Sequence, residues 1–162
     1  MTIMSTVRRF LPVREAEAHC DIPCGIYDPI QAKIAAQTVV KMVMRIQTLA
    51  EQASSDMTTE QLTAARNTGM RYIAVKEEHA QVVKNELDIL WHDYFRPDHL
   101  EKYPDLHTKI WNATKLAGAN KQNVNLESAQ QLVAAVDDIA GIFWSTKGVD
   151  YNDAVADVRF GT

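Results

Sequence analysis

From residue 29 onward the apolar side chains recur at three- and four-residue intervals, the spacing of one face of an α-helix, and no stretch alternates as a strand would. Asp28-Pro29 is a favourable helix start, because Asp can accept a backbone N–H and Pro fits the first helical position. Ile30, Ile34, Val39, Met42, Val43, Ile46 and Leu49 follow at helical spacing, and Ser54-Ser55-Asp56 breaks the pattern. A second segment begins near Thr58 or Thr59, carries Leu62, Ala65, Ile73, Ala80, Val83, Leu87, Leu90, Trp91 and Tyr94, and ends before Pro97. A third follows Pro104, with Leu106, Ile110, Trp111 and Thr114 on one side, and fades near Gly118. A fourth runs from about Leu126 through Leu132, Val133, Val136, Ile139, Ala140 and Phe143 to Trp144, and Gly148 stops it. Four amphipathic helices with mostly short connections predict an all-α protein, an antiparallel four-helix bundle. The tail, residues 148–162, carries no clear assignment.

A chain of 162 residues fits one domain and can bury a real core, and its 46% apolar and 23% charged content is ordinary for a globular protein. No apolar run approaches the roughly 20 residues that span a bilayer. The net charge of −4, with Lys and Arg scattered, argues against a nucleic-acid footprint. Neither nucleic acid nor membrane is expected as a partner.

The only cysteines, Cys20 and Cys24, lie four positions apart beside His19. A disulfide closing so short a loop would stabilise a domain of this size little, so the pair reads as a metal site, a redox pair or two idle thiols. The segment before them, residues 1–18, has a different character. Arg8, Arg9 and Arg14 against Glu15 and Glu17 give it a local charge of +1, and Ala16-Glu17-Ala18 resembles a small-residue cleavage site. Charges flank Phe10, Leu11 and Val13, so the continuous apolar stretch of a secretory signal is missing. The segment reads either as a leader removed by a peptidase in the cytoplasm or as a plain N-terminal extension.

The run H-C-D-I-P-C-G-I-Y-D-P, residues 19–29, precedes the first helix, so its backbone can wrap around an ion. Two thiolates and one imidazole from so short a stretch do not complete a tetrahedral zinc site. Cleavage before His19 would add its free amine and bring the amide nitrogen of Cys20 into play. Two nitrogens and two sulfurs in one plane favour divalent nickel or copper over zinc, with the His19 imidazole able to reach an axial position.

At this point a resemblance becomes specific. The run at 19–29 resembles the nickel-binding hook of the nickel superoxide dismutases. The stretch L-W-H-D-Y-F-R-P-D-H-L-E-K-Y-P-D-L-H at 90–107 and I-F-W-x-T-K at 142–147 are similar to the same family. The resemblance spans roughly 19–147 and implies a four-helix bundle carrying an N-terminal hook, a leader cut to expose His19, one nickel ion per subunit and a homohexamer; the cytoplasmic location is read from the leader alone. It implies that Cys20 gives a thiolate and its backbone nitrogen, Cys24 the second thiolate, and His19 its amine and, in the oxidised state, its imidazole. It further implies that Asp21 pins the hook, that Tyr27 orders water or substrate at the open axial face, and that Tyr94 is a second tyrosine near the site. Members of the family hold the axial imidazole with a Glu on the first helix and an Arg on the second; the matching positions here are Ala35 and His79.

Superoxide dismutation joins the oxidation of one superoxide to dioxygen with the reduction of another, plus two protons, to hydrogen peroxide. The metal couple must lie between those half-reactions. Hydrated nickel is too hard to oxidise; thiolates and an amidate donate the charge that stabilises its trivalent state, and the protein supplies orientation and electrostatics. Arg96 is a candidate source of positive field for the anionic substrate. His79, His92, His99 and His107 read as surface or core-edge residues, Trp91, Trp111 and Trp144 as core or subunit contacts, and Met42, Met44 and Met70 as core fillers. Two competing functions are a nickel or copper carrier without turnover and a structural bundle with a disulfide-closed N-terminus. A Tyr27→Phe variant should turn over more slowly and with an altered pH profile if the hydroxyl handles protons; unchanged turnover and pH dependence would remove that role.

Overall fold

A computed structural model describes residues 25–161. Its long helices are α1 (Ile30–Glu51), α2 (Thr59–Ile89), α4 (Leu106–Gln122) and α5 (Leu126–Thr146), with a short α3 (Pro97–Lys102) before α4 and a short α6 (Ala156–Phe160) in the tail. Each long helix packs on two neighbours in the cyclic order α1, α2, α4, α5. This is the four-helix bundle that the periodicity predicts. Every regular element among the described residues is helical, and none of these helices is long and apolar enough to cross a membrane.

Local chemistry sets the helix ends. Asp28 Oδ1 accepts the Ile30 N–H at 2.8 Å, but Pro29 itself is the N-cap and α1 starts at Ile30, one residue later than the sequence suggests. At α2, Thr58 and Gln61 exchange side-chain-to-backbone bonds of 2.9 and 3.2 Å, a capping box. Asn125 caps α5 by accepting the Ser128 N–H at 2.8 Å. Gly148 ends that helix at φ +71°, where the Val149 N–H reaches the Trp144 carbonyl at 3.0 Å and the Gly148 N–H reaches Ser145 at 3.2 Å.

The core follows one stripe per helix. On α1 it is Ala32, Ala35, Ala36, Val39, Val40 and Val43; α2 adds Ala80, Val83 and Leu87, α4 adds Leu106, Ile110, Ala113 and Ala117, and α5 adds Leu132, Val136, Ile139 and Phe143. Lys76 is also buried, at 1% exposure, and donates to the carbonyls of Asn120, Lys121 and Asn123, closing the C-terminal end of α4. Burial pushes its ammonium below the usual lysine range.

Several expectations shift. The second helix ends at Ile89, and Leu90–Tyr94 form a wider π-helical turn that keeps Leu90 buried while the chain turns toward Phe95. The third helix continues past Gly118 to Gln122, because the Lys76 ammonium satisfies its terminal carbonyls. Ile34, Leu62 and Ile73 sit at the edge of the apolar stripe and are exposed. Met44 and Met70 are exposed rather than core fillers; Met70, at 71%, lies in the first half of α2, which contributes no buried residue.

The tail folds back on α1. Lys33, buried at 4% exposure, pairs with Asp137 of α5 at 2.5 Å and Asp153 of the tail at 2.7 Å, and also donates to the Tyr151 hydroxyl. Burial alone would lower its pKa, but hydrogen bonds to Asp137, Asp153 and Tyr151 more than offset that and raise it. Arg159 beside Asp153 holds that carboxyl down to about 2. An unfolded Asp titrates near ~3.9. The depressed folded pKa therefore stabilises the chain above about pH 4 and ceases to do so as pH falls toward 2. The stability difference between the native chain and an Asp153→Asn variant, measured by denaturant titration, should shrink across that window; a difference independent of pH would contradict the anchorage.

Candidate metal centre

The proposed ligands His19, Cys20 and Cys24, together with Asp21 and residues 1–18, lie outside the described residues. The structure describes the ground they stand on. Gly25 leads into the bundle at φ +75°, a left-handed conformation that suits glycine, and Pro29 is fully buried at the start of α1. Residues 25–29 therefore lie at one end of the bundle, where α1 begins and α5 ends.

Tyr27 and Tyr94 meet at this end. Their ring centroids are 5.5 Å apart at 54°. Tyr94 sits in a cluster: its ring lies 4.5 Å from Phe143, 5.2 Å from Phe95 and 5.6 Å from His99, stacked on the last at 27°. Its hydroxyl bonds Thr146 Oγ1 at 2.5 Å, and Thr146 donates on to the Phe143 carbonyl at 2.6 Å. The π-helical turn explains how these groups converge, since it rotates Tyr94 relative to a continuous α-helix. Position and hydroxyl direction of Tyr94 are thus fixed by α5.

The cations are distributed unevenly. Arg96 is 69% exposed and lies 3.6 Å from Asp98, so its field is partly offset. Lys147 stands over the Tyr94 ring at 5.4 Å and the Phe143 ring at 5.2 Å. It closes the I-F-W-x-T-K run, but sequence reasoning gave it no role; only the packing of α5 against the π-helical turn brings it to the tyrosines.

Ala35 is buried at 2% exposure on the core stripe of α1 and offers no polar group. His79 is half-buried on α2, and its Nδ1 lies 2.9 Å from the Val75 carbonyl. A carbonyl only accepts, so Nδ1 carries the proton and Nε2 is the acceptor of the neutral ring. The other histidines have local partners: His92 Nδ1 bonds the Asp88 carbonyl at 2.8 Å, His99 accepts the Arg96 N–H at 3.3 Å, and the His107 ring lies 5.1 Å from Trp91. Trp111 is 54% exposed, so it is a surface residue of the single chain and not core.

Among the described residues no group of three or more His, Cys, Asp or Glu side chains could hold a metal ion. The chain's thiols are both upstream, in a donor set whose chemistry suits nickel: anionic sulfur with nitrogen, and a single imidazole.

The chain matches the model of the family described as nickel-containing superoxide dismutase over residues 14–147. It is 37% identical to a superoxide dismutase [Ni] of Streptomyces seoulensis over 140 residues, 86% of this chain and 96% of that one. It is 36% identical to the corresponding protein of Streptomyces coelicolor, with the same coverage. It also resembles the crystal structure of a nickel-containing superoxide dismutase with nickel ligation corresponding to the oxidised state, with a TM-score of 0.67 at 35% identity, covering 81% of this chain and 100% of that one.

Proposed function

The chain belongs to the nickel-containing superoxide dismutase family, and from that premise we propose that His19, Cys20 and Cys24 hold its nickel ion, one per subunit, after a peptidase removes residues 1–18. The chain is a nickel-dependent superoxide dismutase, an oxidoreductase that converts superoxide to dioxygen and hydrogen peroxide. The observation that carries the ligand assignment is the match over residues 14–147, which contains both cysteines of the chain.

When bound, nickel supplies a one-electron couple between the two half-reactions of dismutation. The residues do the rest. The Cys20 and Cys24 thiolates donate charge to the ion. The amine of His19, exposed by cleavage, the Cys20 amide nitrogen and the His19 imidazole would complete the donor set. Asp21 pins the hook. The Tyr27 hydroxyl orders water or superoxide and passes a proton, and the ring of Tyr94, fixed through Thr146, backs it at 5.5 Å. With alanine at position 35, either His79 would orient the His19 ring, its Nε2 being the acceptor when Nδ1 donates to the Val75 carbonyl, or that ring is tethered differently. A cytoplasmic homohexamer is supported by the leader's lack of a secretory apolar stretch and by the exposed apolar surface of Met44, Met70, Ile73 and Trp111.

Chains beginning at residue 19 test these roles. Cys20→Ser and Cys24→Ser should each keep the helical circular dichroism, lose nickel and fall to the activity of the nickel-free chain. Stoichiometric nickel in either variant would remove that cysteine from the ligand set. His79→Ala should retain nickel but turn over about 10-fold more slowly with a changed trivalent-nickel spectrum; a native rate and spectrum would exclude it.

A further inference from the structure

The family match ends at residue 147, yet the chain continues and residues 148–161 are built onto α1. The contacts fall on positions 33, 37 and 41, a single row at helical spacing. Lys33 pairs with Asp153 and donates to Tyr151. Gln37 Nε2 donates to the Ala156 carbonyl at 3.1 Å, and Arg159 reaches Gln37 Oε1 at 3.4 Å. Lys41 donates to the Gly161 carbonyl at 2.7 Å and lies over the Phe160 ring at 4.8 Å.

These anchors are mostly polar and ionic, with the Phe160 ring also packed against the core. Arg159 forks onto Asp153 with bonds of 2.7 and 2.9 Å, so Lys33 and Arg159 face Asp137 and Asp153 as a balanced set of charges. Without the tail, the buried Lys33 ammonium would keep only Asp137, itself 43% exposed. Removing the Asp153 charge while the tail stays in place would leave Lys33 buried with one carboxylate fewer, which is costly. A cleft of about 250 Å³, lined by Asp28, Pro29, Lys33, Trp144, Tyr151 and Asp153, separates the entry turn from the tail. Apolar packing does not fill that space, so the polar anchors hold the two together across it.

Lys33 is one turn into α1, and its N–H donates to the Pro29 carbonyl at 3.1 Å. What restrains Lys33 restrains the turn by which the upstream chain enters the bundle. We propose that residues 148–161 are a positioning strap that clamps α1 at Lys33, Gln37 and Lys41 and so fixes the turn carrying Tyr27 and the nickel hook. The inference rests on the assignment of the hook to residues 19–24. Asp153 and Arg159 are positioning residues; neither touches the reacting atoms.

The test uses the chain beginning at residue 19, nickel-free and nickel-loaded, with an Asp153→Asn, Arg159→Gln double variant. In the nickel-free protein, amide exchange over residues 30–36 should accelerate by about 10-fold or more relative to α4. In the loaded protein, the trivalent-nickel spectrum should change and kcat should fall about 3-fold or more, a loss of roughly 0.65 kcal/mol in transition-state stabilisation at 25 °C. Asp153→Glu, which keeps the charge, should restore part of both. Native exchange over 30–36 would overturn the strap, and faster exchange with a native nickel spectrum would reduce it to a stabilising tail and overturn the positioning role. Should the double variant fail to fold, Gln37→Ala removes only the bonds to Ala156 and Arg159 and reads the same quantities. Retention of nickel by Cys20→Ser would sink the hook assignment, while the exchange measurement would still decide whether the tail clamps α1.

Discussion

The close packing of α1 into the bundle is the constraint on which everything else depends. Its buried stripe is made of alanine and valine, from Ala32 to Val43, and such small side chains let α2 and α5 approach closely. That placement fixes the first turn of α1 at the end of the molecule where α5 terminates. Tyr27, Tyr94, Thr146 and Lys147 come from three separate parts of the chain and meet there because α1 is held in this position. The proposed metal ligands lie just upstream of the same turn in the sequence, and the bundle itself contributes none of them.

The division of labour is consistent with a redox enzyme whose substrate is small and whose metal carries the electron. The hook needs soft, anionic donors and a backbone free to wrap, which a helix interior cannot provide. The bundle needs to present tyrosines and cations at one end and to keep its own carboxylates and histidines from forming a competing site. The second requirement is met by separation: among the described residues no three His, Cys, Asp or Glu side chains are grouped so that they could hold a metal ion.

Helix periodicity made the bundle legible in the sequence, and the caps at Asp28, Thr58 and Gly148 were readable to within a residue or two. What escaped notice depends on contacts between distant residues. The continuation of α4 to Gln122 requires Lys76, some forty positions earlier, to serve its last carbonyls. The π-helical turn at Leu90–Tyr94 has no signature in apolar spacing, because its extra residue is accommodated by packing around Phe95 and Phe143. Residues 148–161 show no periodicity because charged pairs, hydrogen bonds and the single ring of Phe160 anchor them instead of a continuous apolar face. The candidate site was legible for a different reason: two thiols, a histidine and a tyrosine fall within one short run, and their chemistry can be read without any fold.

The central claim is that nickel chemistry at this hook requires the free amine of His19. The direct test is dismutation by the chain beginning at residue 19 beside the full-length chain, each offered one nickel per subunit. High activity confined to the trimmed chain is the predicted result. Equal activity in the full-length chain, or a folded, nickel-bound trimmed chain without turnover, would contradict the account.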